Sequence, residues 1–234
     1  MSVPRRHKGK AKSQPQTGAT FLNLSHDLLR QFNSMARQVS HSRRSIVFRE
    51  GDSPRAVYLV CAGKVKLFAA AGDRRKLLLR IAGPGDMLGL NTLLSNLPYE
   101  VSAETLTPCT FKEIDRGPFL DFLSVYPEAA FIAALTLAHE SREIFIATRR
   151  LALSPSAAAR VAQVLIGLMP LDPSFNQLPS FPMMLTHAEL ASLAGTSRET
   201  VARLLNQLER DGIIARDNST MTIVKLNQLK QLAI

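Results

Sequence analysis

The sequence predicts an α+β protein assembled in three parts along the chain. These are a compact antiparallel barrel or sandwich, one long helix, and two short helices followed by a hairpin. Three observations predict it. From Ile46 to Ile114, short apolar segments alternate with turn signals at Gly51-Asp52, Ala62-Gly63, Gly72-Asp73 and Gly83-Pro84-Gly85-Asp86. That rhythm suits short antiparallel strands. Next, "PEAAFIAALTLAHESREIFIATRRLAL" has no glycine or proline after its first residue and keeps a helical period throughout. Finally, "LTHAELASLAGTSRETVARLLNQLERDGII" places an amphipathic segment on each side of Gly195.

Composition narrows the function classes. The chain of 234 residues carries a net charge of +10, an excess that favours anionic partners such as nucleic acid. Its distribution is uneven. Residues 1–20 hold Arg5, Arg6, Lys8, Lys10 and Lys12 with no acid, whereas residues 154–234 hold seven Lys/Arg against six Asp/Glu. Charge alone therefore does not mark the C-terminal part as a nucleic-acid binder. Cys61 and Cys109 lack metal-ligand spacing, so no metal site is expected. The longest apolar stretch, Ala129 to Ala138, is too short to span a bilayer. No apolar core follows the basic N-terminus, so no signal peptide is expected and a cytoplasmic location is.

The elements follow in order. Residues 1–20, rich in Gln, Pro, Gly and Ser, are expected to form a disordered basic tail. A helix should start with Ser25 as its cap and put Leu28, Leu29, Phe32, Met35 and Ala36 on one face. "SIVF", "AVYLVCA", "KVKLF", "KLLLRIA" and "TPCTFKEI" are the strand candidates within a domain of residues 21–126. In "KVKLF" the alternation predicts Lys64 and Lys66 outward, Val65 and Leu67 inward. Residues 127–153 form the long helix. Its apolar positions recur in heptad steps: Phe131, Ala138 and Phe145 on one track, Leu137, Ile144 and Leu151 on the next, a pattern that predicts a homodimer seam. Ser154, with Pro155 behind it, should cap the next helix and open the final domain, residues 154–234. "LDPSFNQLPS" reads as a loop.

In the final domain Thr186 caps a first helix and Ser197 a second. On the second, Val201, Leu204, Leu205 and Leu208 form an apolar face. Arg198, Glu199, Ala202, Arg203 and Asn206 form the opposite one. Such a helix fits the DNA major groove with its N-terminal residues nearest the bases. Arg198 and Arg203 suit guanine O6 and N7, and Glu199 suits the cytosine amino group. Thr186, Ser197 and Thr200 are short donors suited to phosphate oxygens. Gly212-Ile213-Ile214, "RDNST" and Met221-Thr222-Ile223-Val224 read as a wing. The plainer role of Glu199 and Arg203, a mutual pair across one turn, is worth only about 0.2–0.5 kcal/mol.

At these residues the sequence resembles the cyclic-AMP receptor/fumarate-nitrate regulator (CRP/FNR) family of bacterial transcription factors. The resemblance extends back through "FREGDSPRAVYLVCAGKVKLF" and "GDMLGLNTLLSNLPYEVSAETLTPCTFKEIDRGPFLDFL", and covers the chain from about Phe21 onward. It implies that residues 21–126 form an effector-sensing, cyclic-nucleotide-binding-like β-roll (an antiparallel jelly-roll barrel), followed by a long dimerisation helix and a winged helix–turn–helix. It also implies a homodimer on a palindromic operator with TGTGA-like half-sites. Arg198, Glu199 and Arg203 are then the base readers, and RNA polymerase is a further partner.

At the effector pocket the resemblance departs from the cyclic-AMP-binding members. Their Gly-Glu-Leu turn, whose Glu holds the ribose, reads Gly89-Leu90-Asn91 here. Their Arg-Ser-Ala, whose Arg pairs the cyclic phosphate, falls in Glu100-Val101-Ser102-Ala103. Phe145 and Ile146 stand where those members contact adenine. No charge-assisted grip on a phosphate remains, so cyclic AMP is not the expected effector. Gly89, Leu90, Asn91, Val101, Ser102, Ala103 and Phe145 are the pocket residues to examine for another small molecule, and a constitutively competent regulator is the variant without one. No cysteine precedes Cys61, which removes the iron–sulfur arrangement of the oxygen-sensing branch, and His41 and His139 are isolated. No cofactor is expected. No nucleophile–base pair, metal cluster or phosphate loop is visible, so an enzyme is not expected either. The rival reading is a ligand-sensing or scaffolding module whose winged helix binds protein.

Overall fold

The computed structural model describes residues 20–71, 75–169, 178–217 and 220–234, with backbone alone at 71, 75 and 76. The basic tail to residue 19, Gly72-Asp73, most of the "LDPSFNQLPS" loop and the tip of the wing lie outside the described residues. A 3-10 turn (Phe21–Asn23) leads into α1 (His26–Met35). Strands β1 (Arg37–His41), β2 (Ile46–Phe48), β3 (Ala56–Ala62), β4 (Val65–Ala71), β5 (Arg75–Ala82) and β6 (Met87–Leu88) follow, then α2 (Leu90–Ser95), β7 (Ser102–Thr105) and β8 (Cys109–Asp115). Two antiparallel sheets result, ordered β1-β8-β3-β6 and β2-β7-β4-β5. Val60, Phe111 and Ala103 are sealed inside this roll, while Leu59, on the opposite face of β3, is buried under the helices, as alternation along a strand covered on both faces requires. A bulge interrupts the β4–β5 pair: pairing jumps from Leu67–Arg80 to Phe68–Leu78, leaving Leu79 unpaired.

All five strand segments read from the sequence form strands. β1, β6 and β7 escaped that reading because they are short or polar. "RQVSH" becomes a strand through its partner: Arg37 lies opposite Glu113, and their side chains pair at 3.0 Å. Ser25 does cap α1 in position, but its side chain accepts no capping bond; its backbone N–H donates to Glu128 Oε1 at 2.7 Å.

Next come α3 (Arg116–Val125) and α4 (Pro127–Leu153), joined at Tyr126 through a bend of 113°. Phe21, Phe32 and Phe119 cluster with ring centroids 5.5 and 5.6 Å apart. Each such pair adds about 0.5–1.5 kcal/mol to simple burial. With Ala129, Ile132 and Ala133 they fix the start of α4 on the roll. Beyond Ala133 the helix has no further fully buried residue.

The C-terminal domain holds α5 (Ala157–Gly167), β9 (Ser180–Pro182), α6 (His187–Leu193), α7 (Arg198–Arg210), β10 (Ile214–Asp217), β11 (Thr220–Ile223) and α8 (Leu226–Leu232). The wing is a three-stranded sheet ordered β10-β11-β9. Ser154 is not the cap of α5. It ends α4, and its hydroxyl bonds Gln163 at 3.1 Å, while Ser156 accepts from Ala159 N–H at 3.0 Å. Two more residues at the break let the chain redirect before a serine meets the new helix's free N–H groups.

Candidate nucleic-acid interface and effector cavity

The first helix of the C-terminal pair starts with a reciprocal cap. Thr186 Oγ1 accepts from Glu189 N–H at 3.2 Å, and Glu189 Oε2 accepts from Thr186 N–H at 2.9 Å. Two otherwise orphaned donors are satisfied. Gly195 then turns the chain at φ +58°, and a Cβ there would fall 2.6 Å from the Leu151 side chain at the end of α4. Glycine is needed both for the left-handed backbone and for that close approach. Arg160 on α5 holds the turn by donating to the carbonyls of Ala194 at 2.7 Å and Gly195 at 3.3 Å. Ser197 caps α7, accepting from Thr200 N–H at 3.1 Å and donating to Thr200 Oγ1 at 3.0 Å.

α7 packs Val201, Leu205 and Leu208 into a core shared with Val161 and Leu165 of α5, with Leu204 partly covered. Arg198, Glu199 and Arg203 remain exposed. Among the described residues their side chains form no ion pair with one another. The three residues expected to read bases thus share one uncovered face near the helix start, and the three short donors sit at the starts of α6 and α7. One contributor was missed in the sequence: Arg216 of β10. It donates to Asn206 Oδ1 at 2.7 Å and pairs with Glu209, whose carboxylate it holds below the usual range. It ties wing to helix. Its only sequence signal is its place in the wing strand, which does not reveal a partner on α7.

The second site is a cavity of about 420 Å³ between the roll and α4. Its wall is apolar, built from Phe48, Leu67, Leu77, Leu79, Leu88 and Leu90, with Gly89, Asn91 and Val101 also lining it. Gly89 sits at φ +79° at the start of α2, where a Cβ would meet the Tyr99 ring at 3.1 Å. Ser102, Ala103 and Phe145 do not line the cavity. Ser102 turns to accept from Glu50 N–H at 3.0 Å, Ala103 is enclosed among roll side chains, and Phe145 points outward. α4 contributes instead Glu140, Glu143, Ile144, Ala147, Thr148 and Leu151. Among the described side chains Arg80 is the one cation in the lining and is already engaged, by Glu140 at 2.6 Å and Asp86 at 3.7 Å. Burial pushes the Glu140 carboxyl above its usual range despite Arg80 beside it.

The two tracks predicted for the α4 seam separate. Phe131 and Phe145, 64% and 63% exposed, lie with Ala138 on a bare stripe that Leu135 extends. The second track divides: Leu137 packs partly buried on the roll core, whereas Ile144 and Leu151 border the cavity yet stay 58% and 38% exposed beside the bare stripe.

A roll with an apolar cavity against the long helix, an uncovered apolar stripe on that helix, and a winged helix–turn–helix define a regulator that binds DNA. The comparisons are specific on this point. Residues 38–126 match the cyclic nucleotide-binding domain and residues 159–232 the Crp-like helix-turn-helix domain. The chain is 32% identical over 189 residues to the cyclic AMP receptor protein of Thermus thermophilus, covering 80% of this chain and 83% of that one. It is 28% identical over 226 residues to the nitrogen fixation regulation protein FixK of Bradyrhizobium diazoefficiens, covering 93% and 91%. Among solved structures, the c-di-GMP responsive global regulator CLP of Xanthomonas campestris superposes with a TM-score of 0.72 at 26% identity, over 85% of this chain and 99% of that one. The protein belongs to the CRP/FNR family of bacterial transcription regulators. No single helix among the described residues is long and apolar enough to cross a membrane.

Proposed function

We propose that the chain acts in the cytoplasm as a homodimeric transcription regulator that reads a palindrome with TGTGA-like half-sites and engages RNA polymerase there. The observation that carries this reading is the free face of α7, where Arg198, Glu199 and Arg203 stand uncovered over a buried apolar base. A duplex palindrome needs two such helices, and the bare Phe131–Phe145 stripe on α4 supplies a self-complementary surface for pairing them. Thr186, Ser197 and Thr200, at the helix starts, are assigned to phosphates.

Control does not run through cyclic AMP. Among the described side chains the cavity lining holds Glu100, Glu140 and Glu143 against Arg80 alone, and Arg80 is spent on Glu140. An anion entering there meets a carboxylate excess and, among those side chains, no free cation. The space suits an uncharged, largely apolar molecule. Selection of bound sequences from a random duplex pool with purified protein tests the reading. Recovery of two-fold-symmetric TGTGA-like sites, unaltered by added cyclic AMP, is the expected result. Failure to retain any duplex, with or without cell extract, would favour protein as the partner of the winged helix.

A further inference from the structure

The geometry points to a second ligand site, a pocket for a small organic oxyanion with an apolar body, where the end of α4 meets α5 and Ile234. The pocket measures about 290 Å³ and shares no lining residue with the effector cavity. Ile146, Leu153 and Ile234 give it an apolar wall, and Arg149, Arg150, Ser154 and Gln163 give it polar groups. Among the described residues no acidic side chain lines it, the reverse of the effector cavity with its three glutamates. The two cavities therefore select ligands of opposite charge.

The polar groups are not equally available. Ser154 Oγ bonds Gln163 Oε1 at 3.1 Å, and Gln163 Nε2 donates to the Ala233 carbonyl at 2.6 Å, so this pair is engaged. Arg150 is not. Its Nε is shut off from solvent and has no acceptor among the described residues. Burial pulls the guanidinium below its usual range, and the charge of Glu143, two turns earlier, offsets only part of that pull. A basic side chain in the last turn of a helix complements the dipole there. That accounts for Arg149, which stays exposed, but not for an Arg150 that gives up water. A buried donor without an acceptor is costly, and more so on a charged group. A carboxylate or phosphate supplies the missing acceptor, because the guanidinium fork can donate through Nε and one Nη to two oxygens in parallel. Arg149 adds a second positive charge, and the exposed Ile146 and Leu153 gain cover from the ligand's apolar body. A single water would satisfy Nε without conferring any affinity for anions, so the test is one of binding.

The site does not depend on the DNA-binding reading and is tested without DNA. The full-length protein is titrated with hexanoate and with acetate, which share a head group and differ in apolar body, while the Nε–H resonances of its arginines are followed. The Arg150 signal, identified by its loss in Arg150→Lys, should shift saturably with hexanoate and bind acetate about tenfold more weakly. Arg150→Met, followed by calorimetry, should weaken hexanoate by about tenfold or more. Arg149→Met, a change at an exposed position, should weaken it by about threefold at the Arg150 signal and serves if the Arg150 variant does not fold. The Arg198 and Arg203 signals separately report loose association with the exposed face of α7. Hexyl phosphate distinguishes the two head groups: saturation by it or by hexanoate supports the site, and the tighter of the two identifies the natural class. An Arg150 signal that stays fixed while those of Arg198 and Arg203 move, or one equal affinity for hexanoate and acetate at all three arginines, overturns the proposal.

Discussion

α7 and α4 each bury one face and leave the other bare, but with opposite chemistry. α7 hides Val201, Leu205 and Leu208 and shows Arg198, Glu199 and Arg203. α4 shows Phe131, Leu135 and Phe145 and tucks Glu140 against Arg80. A charged face left in water costs little and can wait for a polyanion. An apolar stripe left in water is unfavourable over its whole area, so it marks a surface that is covered when the protein works. On the proposed reading one helix is finished by DNA, the other by a second copy of itself.

The sharpest way to break that contrast is Phe131→Glu with Phe145→Glu. Two charges in the stripe should give a monomer in sedimentation and lower operator affinity by about a hundredfold or more, since a lone recognition helix contacts one half-site. If the variant stays dimeric, the stripe is not the seam. On the other helix, Arg203→Ala should cost about 1–3 kcal/mol of binding and relax one guanine position in a competition assay, leaving the fold intact. Equal weakening at every sequence would instead make Arg203 a phosphate contact.

The buried side of α4 is addressed by Arg80→Met. Glu140 then loses its nearest cation while remaining largely covered, and the thermal midpoint should fall by the equivalent of about 1–2 kcal/mol, less than for a fully buried pair because both side chains keep some solvent. Glu140→Gln added to it should recover most of the loss. The smallest effect concerns Lys66 of β4, whose Nζ lies 2.8 Å from Glu189 of α6 and 2.9 Å from Glu104 of β7. Burial tends to raise the Glu189 carboxyl and lower the Lys66 ammonium, but bonds from Lys66 and Thr186 outweigh burial at the first, and bonds to Glu189 and Glu104 outweigh it at the second. A depressed carboxylate stabilises docking fully above its unfolded value and loses that contribution as pH falls through the lowered folded value. The Leu78 N–H donates to Ser192 Oγ of α6 at 2.7 Å. Domain docking, followed by Leu78 exchange, should therefore hold at pH 5 and weaken only below the usual carboxylate range, about pH 4. Loosening already at pH 6 would assign the docking to some other group.

The same two helices show how much was legible. The face of α7 could be read residue by residue, because a short amphipathic helix between Ser197 and Gly212 has few ways to bury its leucines. The stripe on α4 was legible from its period, which gave two adjacent tracks; what the period could not reveal is that Leu137 packs on the roll and that Ile144 and Leu151, though exposed, also border the cavity. The cavity was legible in its loop, at Gly89, Leu90, Asn91 and Val101, but not on the helix, where an ungapped match gave Phe145 and the chain presents Ile144 and Thr148. Lys66 was the most misleading residue. Its alternation with Val65 and Leu67 spelled a solvated lysine, yet the face it occupies lies under another domain, and no local pattern announces a contact 123 residues distant.

The unpaired Leu79 has a consequence for how such a protein diversifies. Because the bulge deals neighbouring residues of β5 to different tasks, a lineage can exchange Leu77 or Leu79 to admit a new ligand while Leu78 and Ile81 keep the second domain in place. Loss of that single residue would restore plain alternation with Arg80 still inward and Ile81 still against the second domain. Point substitutions and deletion at Leu79 are therefore both expected to alter what is sensed and to leave the second domain in place.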